Sequence, residues 1–161
     1  MAHSGNPTPA ATEDYGGDWL RFRDDAQADE PAVSLDAFVT QTNACSVRIE
    51  AGEDVTQLLP HLERVRLVEV DFPKFRDGRG FSSARILREM GYTGEIKATG
   101  DVLVDLLFFM RRCGFDSFAP EVPFNDADVQ AALTRYPHVY QHAADAAVPI
   151  WKLRHPDAAN G

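Results

Sequence analysis

Between Arg64 and Ala119 the chain alternates β-branched runs with stretches of helical spacing, and this alternation limits the fold more than any other feature. "RVRLVEVDF" carries Val65, Leu67, Val68 and Val70 and is cut off by Pro73, which cannot donate to a ladder. "GEIKATG" and "FDSFA" read as further strands, and "CSVRIE" upstream alternates apolar and polar residues as a half-buried strand does. Helices fill the gaps. The first is "SLDAFVTQ", capped by Ser34, and the second runs from Val55 to Leu62. "GFSSARILREMG" starts on Ser82 or Ser83 and stops at Gly91. "DVLVDLLFFMRRCG" takes Asp101 as cap, has Arg111 and Arg112 in its last turn and Gly114 beyond, and "DADVQAALTRY" opens on Asp126 or Asp128. Strands alternating with helices imply right-handed βαβ units. The expected fold is α/β, a mostly parallel sheet of about four βα units, as an open sheet or a half-barrel.

At 161 residues and 44% hydrophobic, the chain suits one domain, expected over residues 18–155. Residues 1–17 and 156–161, rich in Pro, Gly, Ala and small polar groups, read as flexible tails. Cys45 and Cys113 are too few for a disulfide framework and have no metal-ligand spacing, which favours a reducing, cytoplasmic setting. The start lacks a basic region followed by an apolar one, so no secretory signal is expected. The longest apolar run, "VLVDLLFFM", includes Asp105 and falls far short of the ~20 residues that span a bilayer. A net charge of -9 argues against general nucleic-acid binding, which needs a basic face.

One stretch departs from that acidity. Lys74, Arg76, Arg79, Arg85 and Arg88 stand against Asp77 alone, a local +4 made of five cations and one acid. Ligands of parallel sheets gather at the carboxyl ends of strands, which is where the Asp71 to Gly80 segment falls. Gly78 and Gly80 would let the backbone approach a ligand, Ser82 stands at the helix start, and Arg76 and Arg79 would grip a small oxyanion such as phosphate, sulfate or carboxylate. The plainer alternative is a paired surface: Arg85 lies four residues before Glu89, Arg88 suits a solvated face, and Asp71, Asp77 and Asp101 could neutralise the loop.

Asp101 and Asp105, one helical turn apart, would face the same way and could form a proton-transfer pair, although a first-turn aspartate is more often a cap. His3, His61, His138, His142 and His155 show no HExxH or other ligand pattern, so no metal is expected. Cys113 ends a helix and lacks the N-terminal dipole that activates catalytic thiols. "RYPHVYQH" suits packing better than base stacking. The helix "VLVDLLFFMRR" is apolar nearly all round, so Phe108, Phe109 and Met110 belong to the core or to a partner contact such as a homodimer.

FxDGRGxS, GYxGE, GDVLxD and RCGFDxF, in that order from Val68 to Phe118, together resemble a family of small bacterial proteins labelled as oxidoreductases of sulfite reduction and often encoded beside sulfite reductase. Asp77, Gly78, Arg79, Gly80, Ser82, Arg88, Asp101 and Asp105 are among the matching positions. Lys97 stands where arginine is usual and Leu106 where glutamine is usual, so a ligand contact at Lys97 would lack the guanidinium fork. The resemblance implies an accessory protein of assimilatory sulfite reduction that contacts sulfite reductase or its electron donor. No nicotinamide, flavin, haem or iron-sulfur pattern is present, and the cofactor is left unknown. The alternatives are a stand-alone enzyme using Asp101 or Asp105 with Arg76 and Arg79, and a dimeric interaction module.

Overall fold

A computed structural model describes residues 20–41, 43–136, 139, 143 and 144. The expected tails, His3, His138, His142, His155 and most of "RYPHVYQH" lie outside the described residues. In chain order the elements are β1 (Leu20–Arg21), β2 (Val33–Ser34), α1 (Leu35–Thr40), β3 (Ser46–Ile49), a 3-10 helix (Val55–His61) and β4 (Leu67–Phe72). There follow α2 (Arg79–Glu89), β5 (Glu95–Gly100), a 3-10 turn (Val104–Leu106), α3 (Leu107–Cys113), β6 (Ser117–Pro120) and α4 (Asp126–Thr134).

The protein is mixed α/β around one mostly parallel sheet. Among the described residues it has six strands, against the four read from sequence, in the order β1-β6-β5-β4-β3-β2. β1 is antiparallel to β6, and every other pairing is parallel. From β2 to β6 each strand lies beside the next in sequence, without the reversal that makes the ligand crevice of a doubly wound sheet. Successive right-handed crossovers in one direction put the helices on one face. Strand residues of a single parity accordingly share the core with them: Val47 and Ile49, Val68, Val70 and Phe72, Ile96 and Ala98, and Phe118 join Phe38, Leu58, Leu87, Leu107 and Met110. Burial of such side chains stabilises by roughly 1.5 to 3 kcal/mol each.

The opposite parity is largely polar. Arg48, Glu69, Asp71, Lys97, Thr99, Glu95, Ser117 and Arg21 alternate with the core residues. They are cross-linked, with Lys97 Nζ 3.0 Å from Glu69 Oε1, Arg21 Nε donating to Glu95 Oε2 and Ser117 Oγ donating to Glu95 Oε1 at 2.6 Å.

Several expected caps are elsewhere. Ser34 does cap α1, accepting from Ala37 N. However, α2 begins at Arg79 behind Gly78, which places Ser82 and Ser83 inside the helix, and Ser83 Oγ donates to Arg79 O. Asn125, rather than Asp126 or Asp128, caps α4. Asp101 caps nothing, because the chain runs extended before the turn at Val104. The segment from Val55 forms a 3-10 helix, capped by the Asp54 side chain and containing Pro60.

Candidate functional site

The β4–α2 loop lies at the carboxyl end of the sheet. Phe72 ends β4, and Asp101, just past β5, ties the loop down: its N–H donates to Phe72 O and its Oδ2 accepts from Phe75 N at 3.1 Å. A Cβ on Gly80 would run into the Phe72 ring, so this glycine seats the first turn of α2 on the strand end. Close packing, rather than ligand approach, therefore accounts for Gly80. A Cβ on Gly52, at φ +92°, would lie 2.8 Å from an Arg79 nitrogen, which brings the turn after β3 beneath that guanidinium.

Arg79 already has an anion. Asp77 accepts from Arg79 Nε at 2.8 Å, from the terminal nitrogen at 2.6 Å and from the backbone N–H at 3.2 Å. The hydrogen bond from Arg79 holds the Asp77 carboxyl at about 2, and the same contact raises the guanidinium. Asp77 thus takes an N–H at the start of α2, where the N-cap residue Gly78 offers no side chain. Lys74 and Arg76 remain exposed, and neither makes an ion pair among the described residues; the Arg76 guanidinium lies 5.3 Å from the Phe75 ring centre. Gly78 has open space around it, and Ser82 is exposed.

The other expected site residues are dispersed. Asp101 and Asp105 share no helical face, since Asp101 is bonded to the loop while Asp105 pairs with Arg135 at 3.2 Å. Arg85 makes the expected surface pair with Glu89 at 3.0 Å. Lys97 is on the polar sheet face against Glu69. Arg88 is at the far end of α2, near the amino end of the sheet.

There Arg88 builds a clasp that sequence reasoning missed. Its nitrogens donate to the carbonyls of Gly114, Tyr92 and Gly94 and, at 2.6 Å, to Asp116 Oδ2. Arg23 reaches the same carboxylate at 3.3 Å and forms a fork onto Asp25. This fork holds Asp25 at about 2 and raises Arg23. Tyr92, buried beside them, donates to Glu95 O, and its desolvation raises the phenol well above its usual range. The signal available in sequence was the pairing of GYTGE with RCGFD, whose glycines leave room for these groups: a Cβ on Gly94 would strike Tyr92, and one on Gly114 would come within 2.6 Å of Arg88.

A family model described as bacterial protein of unknown function (DUF934) matches residues 46–151. The chain belongs to this family. No curated protein and no solved structure matches it significantly. The match takes in both the β4–α2 loop and the Arg88 clasp of this DUF934 protein, whereas Arg21, Arg23 and Asp25, which complete the clasp, precede it. Among the described residues of the DUF934 chain, no group of three or more His, Cys, Asp or Glu could hold a metal ion, and no helix is long and apolar enough to cross a membrane.

A third feature is a surface aromatic cluster. Phe108, Phe109 and Tyr136 meet with ring centres 5.2 to 5.5 Å apart, and Phe109 and Tyr136 are 46% and 43% exposed. Met110 is in the core at 1%. The apolar helix therefore has Met110 in the interior and Phe109 outward.

Proposed function

We propose that this protein is an accessory protein of assimilatory sulfite reduction, acting in the cytoplasm, which holds a small oxyanion at the β4–α2 loop and contacts sulfite reductase or its electron donor. The carrying observation is the exposed pair Lys74 and Arg76, both outside any ion pair among the described residues, in a chain of net charge -9. An acidic protein that keeps two uncompensated cations on a loop pinned by Asp101 has a preorganised anion contact there. Arg79 supports it indirectly, by fixing Asp77. The motifs shared with the sulfite-reduction family supply the metabolic context.

The test is sulfite reductase turnover, reconstituted with its physiological reductant, with and without this protein. Stimulation that is lost in Arg76→Ala and weakened in Lys74→Ala is expected. Turnover unchanged by the wild-type protein would sink the proposal.

A second reading, an interaction module that dimerises through its apolar helix, draws on the exposed Phe109 and Tyr136. Light scattering on dilution separates it from the first: a mass that falls from dimer to monomer favours the module.

A further inference from the structure

A cleft of about 610 Å³ lies at the amino end of the sheet, opposite the β4–α2 loop. Its walls are the segment after β1, the turn before β4 and the GYTGE turn before β5. The volume lies within the ~300 to 1,000 Å³ of small-molecule sites, which combine an apolar lining with a few placed polar groups. Ala26, Ala28, Leu62 and Val65 supply the lining here.

The charges around the cleft fall into two sets. Arg23, Asp25 and Glu95 are spent on one another, on Arg21 and on Asp116, so they form rigid wall. Glu63 and Arg66 also line it and are exposed, yet neither has a hydrogen bond or ion pair through its side chain among the described residues. They flank Val65, whose side chain is buried, and the backbone of Arg66 is fixed at both ends, its N–H donating to Cys45 O and its carbonyl accepting from Glu95 N. One unpaired acid and one unpaired guanidinium therefore border a common cleft of mixed polar and apolar lining, with Ala26, Ala28, Leu62 and Val65 as its apolar part. Such an arrangement complements a small molecule that carries both charges beside an apolar group.

We propose that this cleft binds a small zwitterion of the α-amino acid class with an apolar side chain, Arg66 taking the carboxylate, Glu63 the ammonium and the Leu62–Val65 lining the side chain. This site is separate from the oxyanion loop and does not depend on it.

The test is an NMR titration of backbone amides with three probes of matched shape: L-leucine, 4-methylpentanoate, which lacks the ammonium, and isopentylamine, which lacks the carboxylate. Saturable shifts at Thr93 and Gly94 with L-leucine are expected, and about tenfold weaker binding of either singly charged probe. Glu63→Gln should weaken L-leucine about tenfold without weakening 4-methylpentanoate, while Arg66→Gln weakens both. Both side chains are exposed, so unchanged amide spectra certify the fold of each variant. Absence of saturable shifts with L-leucine, or equal binding of all three probes, overturns the proposal.

Discussion

The Arg88 guanidinium donates to the Asp116 carboxylate across 2.6 Å and thereby joins the end of α2 to the entrance of β6. Its other donors go to backbone carbonyls of two turns, so removing the side chain leaves several half-buried acceptors unmatched at once. Arg88→Ala should cost about 2 to 4 kcal/mol, read as a lower urea midpoint at constant slope. Arg88→Lys should recover only part of this, because an ammonium cannot span the fork. An unchanged midpoint in the alanine variant would show the clasp to be energetically idle.

The two glycines that end helices should respond unequally. Gly91, at φ +89°, has open space around its Cα, so Gly91→Ala meets only the left-handed penalty of about 1 to 2 kcal/mol. Gly114, at φ +115°, faces Arg88 as well, and Gly114→Ala should cost about 1 to 3 kcal/mol more. Equal losses in urea denaturation would contradict the packing described around Arg88.

Acid titration should report two guanidinium forks. Asp77 and Asp25 are both held at about 2, below the ordinary 3.8, chiefly by hydrogen bonds from Arg79 and Arg23. A depressed folded-state value means that the contribution is present above pH 3.8 and is lost as pH falls from there through about 2. Carboxyl carbon NMR should show Asp77 moving back towards 3.8 in Arg79→Ala, with Asp25 unaffected. The converse should hold in Arg23→Gln.

Neighbours on α3 should differ sharply. Met110→Ala opens a cavity in the core and should cost about 2 to 5 kcal/mol, whereas Phe109→Ala removes a half-exposed ring and should cost under about 1.5 kcal/mol. Thermal melts of the two variants check this, and a larger loss for Phe109 would mean that its ring is covered in solution.

Much of the scaffold was legible because its signals are local. The β-branched run ended by Pro73 is β4, and Gly91 and Gly114 follow α2 and α3 with positive φ, as stop glycines do. β1 and β2 were not legible: two residues each carry no periodicity, and their pairing is made by backbone groups. Asn125 is no better a cap by residue type than Asp126 or Asp128, so sequence does not single it out. The basic stretch was visible as charge but not as geometry. At a rise of 1.5 Å per residue, α2 carries Arg79 and Arg88 about 14 Å apart, so one run of sequence serves opposite ends of the sheet. Arg66 and Glu63 were invisible as a pair, since what unites them is a hollow closed by a segment distant in sequence.

The unreversed strand order also sets a timetable for assembly. Every parallel neighbour is made soon after its partner, but Leu20 must wait for Phe118 before β1 has an edge to join. Closing that span carries the largest chain-entropy cost in the sheet, and long-range pairings form slowly. Of the described strands, β1 is therefore the first to emerge during synthesis and the last to be placed, and pulse-labelled hydrogen exchange should find the β1 amides protected after those of β4 and β5.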